Sequence, residues 1–273
     1  MPILALNYAE RQRLRELFFE AHALGMGYPF ARQEIMTAIR CLKAIHSNTI
    51  EDRSIDRVFL QLLLHDAGIK DKTVISPEYE LAHLILKGQQ AMLEDLEHRA
   101  EDKEPLSISL LRTMHRQMFK GSWVAGAGEF RDTNVSILRM RHDPPHPRDI
   151  ETLLHQKCLS INEGIDAISD VTPDTFDAIL QLSAEAHYMV AGVHPFEDGN
   201  GRIARAVGDY VLLRFGMFYD VIMTDYRDNY LDSLEECTFV DTTPLYRFLE
   251  FSYLETLERI STFFKLARKK HPQ

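Results

Sequence analysis

Residues 194–205 read His-Pro-Phe-Glu-Asp-Gly-Asn-Gly-Arg-Ile-Ala-Arg, and they stand between two segments whose apolar residues recur with the period of a helix. The Asp-Gly-Asn-Gly part is poor helix material, because glycine permits left-handed backbone and close approach of another group. A glycine-bearing turn that opens a helix presents consecutive backbone N–H groups beside the positive helix end. The stretch therefore predicts a helix–loop–helix unit with an anion site at the loop.

The side chains around this loop suit a polyphosphate ligand. Arg202 and Arg205 are three residues apart and so share one helix face, and paired guanidinium groups bind phosphates well. Asp198 is the kind of carboxylate that holds Mg²⁺ together with substrate phosphates, and His194 can act as a base near neutral pH. This set predicts phosphoryl or nucleotidyl transfer without a P-loop. A purely structural turn, with Asp198 as a cap, is the alternative that these residues leave open.

Composition restricts the class of protein. The 273 residues include 31 Lys and Arg against 41 Asp and Glu, a net charge of −10, which argues against nucleic acid as the main partner. Cys41, Cys158 and Cys237 are odd in number and scattered, which favours reduced thiols. No apolar run approaches the roughly 18–20 residues of a membrane span, and the first residues lack the basic region of a signal peptide. We expect a soluble, cytoplasmic protein with no membrane partner.

Helical periodicity runs along most of the chain. The predicted helices cover residues 8–24, 30–46, 55–66, 78–99, 107–119, 149–167, 174–192, 202–215, 226–237 and 243–268. One segment differs, because Val135, Ser136, Ile137 and Leu138 are β-prone and prolines follow them. The sequence therefore predicts an all-α fold with one small β-hairpin.

The stretch at 194–205 resembles the signature of the Fic family, His-Pro-Phe-x-Asp/Glu-Gly-Asn-Gly-Arg-x-x-Arg, and all nine specified positions match. The resemblance extends to Gly128-Glu129-Phe130-Arg131 and to the helix before the signature, and it covers about residues 45–255. It implies a Fic-type helical bundle in which the hairpin serves as a flap.

The resemblance also implies an organisation along the chain. Residues 1–100 would form an N-terminal helical region with an inhibitory helix near 47–53. Residues 101–255 would form the catalytic core, and residues 256–273 the end of the last helix and a tail. We expect these parts to pack as one unit.

Active members of the Fic family transfer AMP from ATP to a Ser, Thr or Tyr hydroxyl of a target protein, a reaction called AMPylation. By resemblance, His194 would deprotonate the hydroxyl and Asp198 would hold Mg²⁺. Arg202 would hold the β/γ end of the nucleotide, and Asn200 would help to cradle the α-phosphate. These four residues are the predicted catalytic set.

The same resemblance implies a nucleotide site and a target site. The nucleotide site comprises Gly199, Asn200, Gly201, Arg202, Arg205 and Tyr230, with Tyr230 stacking on adenine. The flap, Val135 to Leu138, would dock an extended target segment by strand addition. Cys237 stands where many relatives have Asn, a departure that affects the adenine pocket.

Residues 47–52, Ser-Asn-Thr-Ile-Glu-Asp, resemble the inhibitory motif of the family, Ser/Thr-x-x-x-Glu-Gly/Asn, except that Asp52 replaces Gly or Asn. By resemblance, Ser47 and Glu51 are inhibitory, and the Glu51 carboxylate pairs with Arg205 in the place of the γ-phosphate. The alternative is a capping box that starts a helix, with Asn48 as N-cap and Glu51 as its partner.

Two other functions fit the same residues. The fold could remove AMP or transfer another phosphorylated moiety, or it could be a non-catalytic module that senses nucleotides. For the AMPylation interpretation, the predicted partners are ATP and a target protein that presents a Ser, Thr or Tyr hydroxyl. A homodimer is a further predicted partner, because relatives often form one.

Overall fold

The computed structural model describes residues 4–51, 77–123, 125–137 and 142–270. In these residues the regular structure is helical. The α-helices are α1 (Tyr8–Gly27), α2 (Pro29–Glu51), α3 (Pro77–Glu101), α4 (Ile108–Met118), α5 (Ile150–Asp166), α6 (Phe176–Val193), α7 (Asn200–Arg214), α8 (Arg227–Glu236) and α9 (Thr243–Lys270). Single 3₁₀ turns precede α5 and α8. The predicted helix at 55–66 lies outside the described residues, and the other predicted helices are confirmed.

Helices α6 and α7 form the centre of the fold and are joined by the loop at 194–199. Every residue of α7 from Arg202 to Leu213 is buried, as expected for a helix enclosed on all sides. The Ser183 hydroxyl donates a hydrogen bond to the Gly208 carbonyl at 2.9 Å, which ties the two helices together. The signature loop therefore connects the two helices that make the most extensive contact with each other among the described helices.

The other helices surround this pair. Helices α5 and α9 pack on α6, and α3 and α4 pack on α7. Helix α1 starts with a capping box between Asn7 and Glu10 and packs on α9. Helix α2 contacts α1, α3, α7 and α9, so its C-terminal end reaches the start of α7.

The predicted helix start at 47–52 is wrong, because α2 continues without a break to Glu51. The Asn48 side-chain amide donates to the Ala44 carbonyl at 2.8 Å, and the Thr49 hydroxyl donates to the Ile45 carbonyl at 3.1 Å. These bonds run back one turn within a helix, so the capping-box alternative does not hold. The motif forms the last turn of α2, and Asp52 lies outside the described residues.

The predicted β-hairpin is not seen in the described residues. Val135, Ser136 and Ile137 have irregular backbone, and Leu138 lies outside the described residues. The Ser136 hydroxyl donates to the Asp143 carboxylate at 3.0 Å, so a side-chain bond crosses the segment where strand pairing was expected. A strand is stable only when a neighbour pairs with its backbone, and β-prone residue types alone do not provide that neighbour.

Two expectations from composition can be compared with the helices and thiols. None of the described helices combines the length and apolarity that crossing a bilayer requires. Cys41, Cys158 and Cys237 carry free thiols, and the last two are buried.

Candidate active site

His194 ends α6 in a left-handed conformation, with φ 49° and ψ 58°. This region is unfavourable for a residue with a β-carbon, so the surroundings must hold it. The backbone N–H of His194 donates to the Val190 carbonyl at 2.9 Å, and its carbonyl accepts from Nε of Arg131 at 2.8 Å. The chain is therefore fixed at the point where the imidazole leaves the helix.

Arg131 connects this bend to the segment that follows it. Its buried guanidinium also donates to the Thr133 carbonyl at 2.7 Å and to the Pro145 carbonyl at 2.6 Å. Its backbone N–H donates to the Pro195 carbonyl at 2.9 Å. The Arg131 guanidinium thus joins the signature loop to both ends of residues 133–145, which we call the flap segment because they contain the predicted flap. The sequence indicated Arg131 only as part of the resemblance and gave no role for it.

The lowered pKa of the His194 imidazole suits a general base. Burial lowers the pKa of His194, a hydrogen bond with the Ala191 backbone opposes this shift, and the nearby Arg131 cation lowers the pKa further. The ring is therefore neutral near pH 7, and a nitrogen lone pair can accept a proton.

The loop is closed by Asn200. Its side-chain oxygen accepts from the Phe196 N–H at 2.9 Å, and its side-chain nitrogen donates to the Phe196 carbonyl at 2.7 Å. Both ends of the amide are thus committed to the loop. The predicted contribution of Asn200 to the phosphate cradle is therefore indirect in this geometry, through the shape that it imposes on the backbone.

Gly199 occupies the N-cap position of α7 with φ 79°. The positive φ favours glycine, and a β-carbon there would also displace the Met118 methyl group, which would lie 2.6 Å away. The helix start has no side-chain cap. Its first N–H groups are therefore not bonded by a capping side chain, and the positive helix end is open to an anion.

His115 supports the loop from α4. Its Nδ1 accepts from the Gly128 N–H at 2.8 Å, so Nε2 carries the hydrogen and donates to the Asp198 carbonyl at 3.0 Å. The ring stacks on Phe196 with 3.9 Å between centroids. Burial lowers the pKa of His115 to about 4. A neutral imidazole thus holds the backbone of Asp198, a role that the sequence did not reveal.

Asp198 presents its carboxylate to solvent, with the side chain 67% exposed. One oxygen accepts from the Gly199 N–H at 2.6 Å, and the other pairs with Arg202 at 3.1 Å. The Arg202 guanidinium is buried over the Phe119 ring, 4.8 Å from its centroid. The described residues contain no group of three metal-ligating side chains. Asp198 therefore fits Mg²⁺ only if substrate phosphates complete the coordination.

Arg205 is fully buried and bound by the end of α2. Its Nε donates to the Ser47 hydroxyl at 2.9 Å, and its Nη2 donates to the Ser47 carbonyl at 2.8 Å. The same Nη2 bonds the Glu51 carboxylate at 2.7 Å. The predicted pairing of Glu51 with Arg205 is therefore present, and the two bonds to Ser47 are contacts that the sequence did not predict.

The Glu51 carboxylate also lies over the start of α7. A β-carbon at Gly201 would come within 2.3 Å of the Glu51 Oε1 atom. The Ile50 carbonyl beside it accepts from the Arg227 guanidinium at 2.7 Å. A carboxylate thus sits at the positive helix end, where an anionic ligand would be stabilised.

A cavity opens beside these groups. Its polar wall contains Glu51, His194 and Arg205, and its apolar wall contains Ile50, Ile137, Leu231 and Leu234. An apolar wall next to a phosphate-binding end suits a purine nucleotide.

Tyr230 also lines the cavity, although its ring is only 1% exposed. Its hydroxyl lies 2.8 Å from Nε2 of His187 and 3.5 Å from Arg205. Stacking of Tyr230 on adenine stays a prediction, and the observed contacts make it a support for Arg205. The buried Cys237 thiol donates to the Ser233 carbonyl at 3.2 Å.

Comparison with known proteins finds similarity to one family. The profile of the Fic/DOC family matches residues 105–212, which lie inside the predicted core. The protein adenylyltransferase Fic of Nematostella vectensis is 27% identical over 205 residues, which are 75% of this chain and 44% of that protein. The protein adenylyltransferase fic-1 of Caenorhabditis elegans is 29% identical over 150 residues, 55% of this chain and 28% of that protein. The chain spans less than half the length of these relatives.

Solved structures are similar to the whole architecture. A Fic domain containing signaling protein from Bacteroides thetaiotaomicron gives a TM-score of 0.76 at 22% identity, covering 93% of this chain and 97% of that one. Fic-1 (aa134–508) from C. elegans gives 0.67 at 22% identity, covering 93% and 73%. At this identity the likeness establishes the fold.

Proposed function

Because residues 105–212 match the profile of the Fic/DOC family, we propose that this protein transfers AMP from ATP to a Ser, Thr or Tyr hydroxyl of a target protein. The observation that carries the proposal is the arrangement around one cavity: His194 and Arg205 line it, and the uncapped start of α7 lies between them in the chain. The names of the curated relatives support the same activity.

In the proposed reaction, a nitrogen of His194 accepts the proton of the target hydroxyl. The hydroxyl oxygen attacks the α-phosphorus of ATP and forms a new P–O bond. The bond between the α-phosphorus and the bridging oxygen breaks, and pyrophosphate leaves. Backbone N–H groups near Gly201 stabilise the charge on the α-phosphate, while Arg202 and Arg205 neutralise the leaving group.

Magnesium belongs to the same proposal. Asp198 is the one carboxylate at a specified position of the signature, and its exposed side chain leaves room for phosphate oxygens as further ligands. When bound, Mg²⁺ supplies additional charge neutralisation to the phosphates. Arg202 then exchanges its contact with Asp198 for one with the nucleotide.

The flap segment completes the proposed site. Ile137 lines the cavity beside His194, so a target segment along Val135 to Leu138 would bring its hydroxyl to the base. Strand addition of this kind reads mainly the backbone of the target. The flap then orients the target, while the signature loop performs the chemistry.

Autoinhibition by Glu51 is the regulatory part of the proposal. Its carboxylate bonds Arg205 and lies over Gly201, so it takes the position and the charge partner that a terminal phosphate needs. ATP bound beside it would be held away from the productive arrangement, because two anions close together repel.

Replacement of Glu51 tests both parts of the proposal. Glu51→Gly should raise AMP incorporation from α-labelled ATP into the proteins of a whole-cell extract by about 5- to 150-fold, the usual range for coupling between two sites. Adding His194→Ala should abolish the gain. Glu34→Gly, the same substitution on an exposed part of α2, serves as the control and should give no gain.

The identity of the product distinguishes the remaining functions. Mass spectrometry of a modified protein should find added AMP, whereas added phosphate or loss of AMP would favour the other reactions of this fold. Calorimetric binding of ATP to the Glu51→Gly variant, without any transfer, would show a nucleotide-sensing module instead.

A further inference from the structure

Helices α2 and α7 face each other with matching rows of polar side chains. Helix α2 presents Lys43, Ser47 and Glu51 at four-residue intervals, and α7 presents Arg205 and Asp209 at the same interval. Residues four apart lie on one helix face. Ser47 and Glu51 bind Arg205, and Nζ of Lys43 lies 2.6 Å from a carboxylate oxygen of Asp209. Helix α2 therefore contacts α7 at a second ion pair, Lys43–Asp209, which lies about two turns from the Glu51–Arg205 contact.

The Lys43–Asp209 pair is buried, with side chains 3% and 2% exposed. Nζ of Lys43 also donates to the Asp220 carbonyl at 2.5 Å, and Asp209 accepts from the Asp220 N–H at 3.0 Å. Burial raises the pKa of Asp209, and Lys43 opposes that shift. Removal of ions from water is costly, so such a pair is stable only in good geometry. It consequently tolerates little displacement of α2 along α7.

The Asp220 carboxylate has its own hydrogen-bond donors. Its carboxylate accepts from the Ser252 hydroxyl at 2.7 Å and from the Thr256 hydroxyl at 3.4 Å, both on α9. Lys43 contacts only the backbone carbonyl of Asp220 and pairs with the Asp209 carboxylate. Loss of Lys43 would therefore remove the paired cation of Asp209 and also the nearby positive charge that lowers the pKa of Asp220.

We propose that Lys43 and Asp209 are positioning residues that set the register of α2 on α7 and so hold the Glu51 carboxylate on Arg205. The proposal rests on the proposed function, since it concerns regulation of the same site. A slip of one residue turns a helix by about 100° and moves it about 1.5 Å, which would carry Glu51 away from Gly201. Lys43 lies eight residues from Glu51, about 12 Å along the helix, and so acts without touching a phosphate.

The test removes the pair at its α2 end. Lys43→Met keeps most of the side-chain volume and should raise AMP incorporation into whole-cell extract proteins about tenfold, because an unpaired buried carboxylate favours release of α2. Lys43→Arg keeps the charge and should restore most of the inhibition. In the Glu51→Gly background, Lys43→Met should change incorporation by less than about twofold, because the residue that it positions is gone.

Arg40 provides the matched control. It is another cation of α2, and it pairs with Glu94 at 3.3 Å and Glu97 at 3.1 Å, both on α3. Arg40→Met removes a positive charge and ion pairs from the same helix without touching α7. It should change incorporation by less than about twofold.

Hydrogen exchange provides a measurement that needs no activity. In Lys43→Met, backbone amides of residues 43–51 should exchange about tenfold faster, while those of α6 keep their protection. If Lys43→Met proves unstable as a whole, Lys43→Met combined with Asp209→Leu removes both charges and should give the same local change.

The outcomes separate this proposal from the proposed function. Faster exchange at 43–51 with no AMP transfer by any variant, Glu51→Gly included, would support the positioning role and reject the transferase. Unchanged exchange and unchanged incorporation in Lys43→Met would overturn the positioning role. An equal rise of incorporation in the presence and absence of Glu51 would also overturn it, because Lys43 would then act by another route.

Discussion

The signature loop and the flap segment lie side by side, yet they differ in the hydrogen bonds that hold their backbone. In the loop, Asn200 bonds Phe196 twice, and His115 holds the Asp198 backbone. Within the flap segment, residues 133–145, the Ser136 hydroxyl bonds the Asp143 carboxylate. Arg131 bonds the carbonyls of Thr133 and Pro145 at the two ends of this segment. The loop is thus shaped by contacts within the protein, whereas Val135 to Ile137 have irregular backbone without a strand partner among the described residues.

In the proposed function, this difference suits the separate tasks of the two regions. Groups that stabilise developing charge act best when they are already in place, because no reorganisation is then needed during the reaction. A surface that binds extended segments gains from backbone that has no fixed strand partner. Arg131 joins the two regions, so its loss should have the largest effect on both.

Arg131→Met should lower the free energy of unfolding by about 3 kcal/mol, because the carbonyls of Thr133, Pro145 and His194 lose a charged donor in a buried place. Urea unfolding measures this effect. AMP incorporation should fall as well, since the left-handed bend at His194 is no longer held. Arg131→Lys should not restore either property, because one ammonium group cannot reach three separated carbonyls. If Arg131→Met were as stable as the wild type, the prediction that Arg131 holds the loop and the flap segment together would be wrong.

His115 joins the signature loop to Gly128 and forms no hydrogen bond with the described flap residues, so its protonation should weaken the support of the loop. Its pKa is about 4 in the folded protein and about 6.5 when unfolded. The unfolded chain binds more protons between these values, so stability is full above pH 6.5 and falls as the pH drops towards 4, by up to about 3 kcal/mol.

Urea unfolding at several pH values checks the assignment of this effect. His115→Gln keeps a donor and an acceptor but does not titrate, so it should flatten that part of the profile. His155→Gln, at an exposed position on α5, should leave the profile unchanged. An identical slope in wild type and His115→Gln would show that the pH effect arises elsewhere.

Ile137→Ser tests the flap and should have the smallest effect on the fold. Ile137 is half-buried on a segment with few internal bonds, so the free energy of unfolding should change by less than about 1 kcal/mol. AMP incorporation should still decrease, because the side chain lines the cavity. Ile203→Ser, the same substitution in the buried part of α7, should cost several times more stability. Equal costs would mean that the flap is packed as firmly as the loop.

The sequence predicted what depends on local pattern. Helical periodicity located the helices, and the glycines of 199–201 indicated the start of α7. The signature placed His194 and Arg205 in one site, and the resemblance of residues 47–51 predicted the contact between Glu51 and Arg205.

The remaining features depend on tertiary contacts that no local pattern encodes. Ser47 and Asn48 are typical of helix starts, but burial against α7 extends α2 through them. Val135 to Ile137 are β-prone, but the described residues supply no strand to pair with them. A lone buried histidine such as His115 gives no sign in sequence of the two backbone groups that it joins.

The contact between the end of α2 and the start of α7 has a consequence for concentration. Glu51 is a tethered anion, and an intramolecular ligand acts at an effective concentration on the order of millimolar or above. In the proposed function, dissolved nucleotide would compete with this internal ligand for the place over Gly201. The resting rate of the proposed enzyme is then governed by the ratio of cellular ATP to that effective concentration, and anything that loosens α2 shifts the ratio without altering a single group that touches ATP.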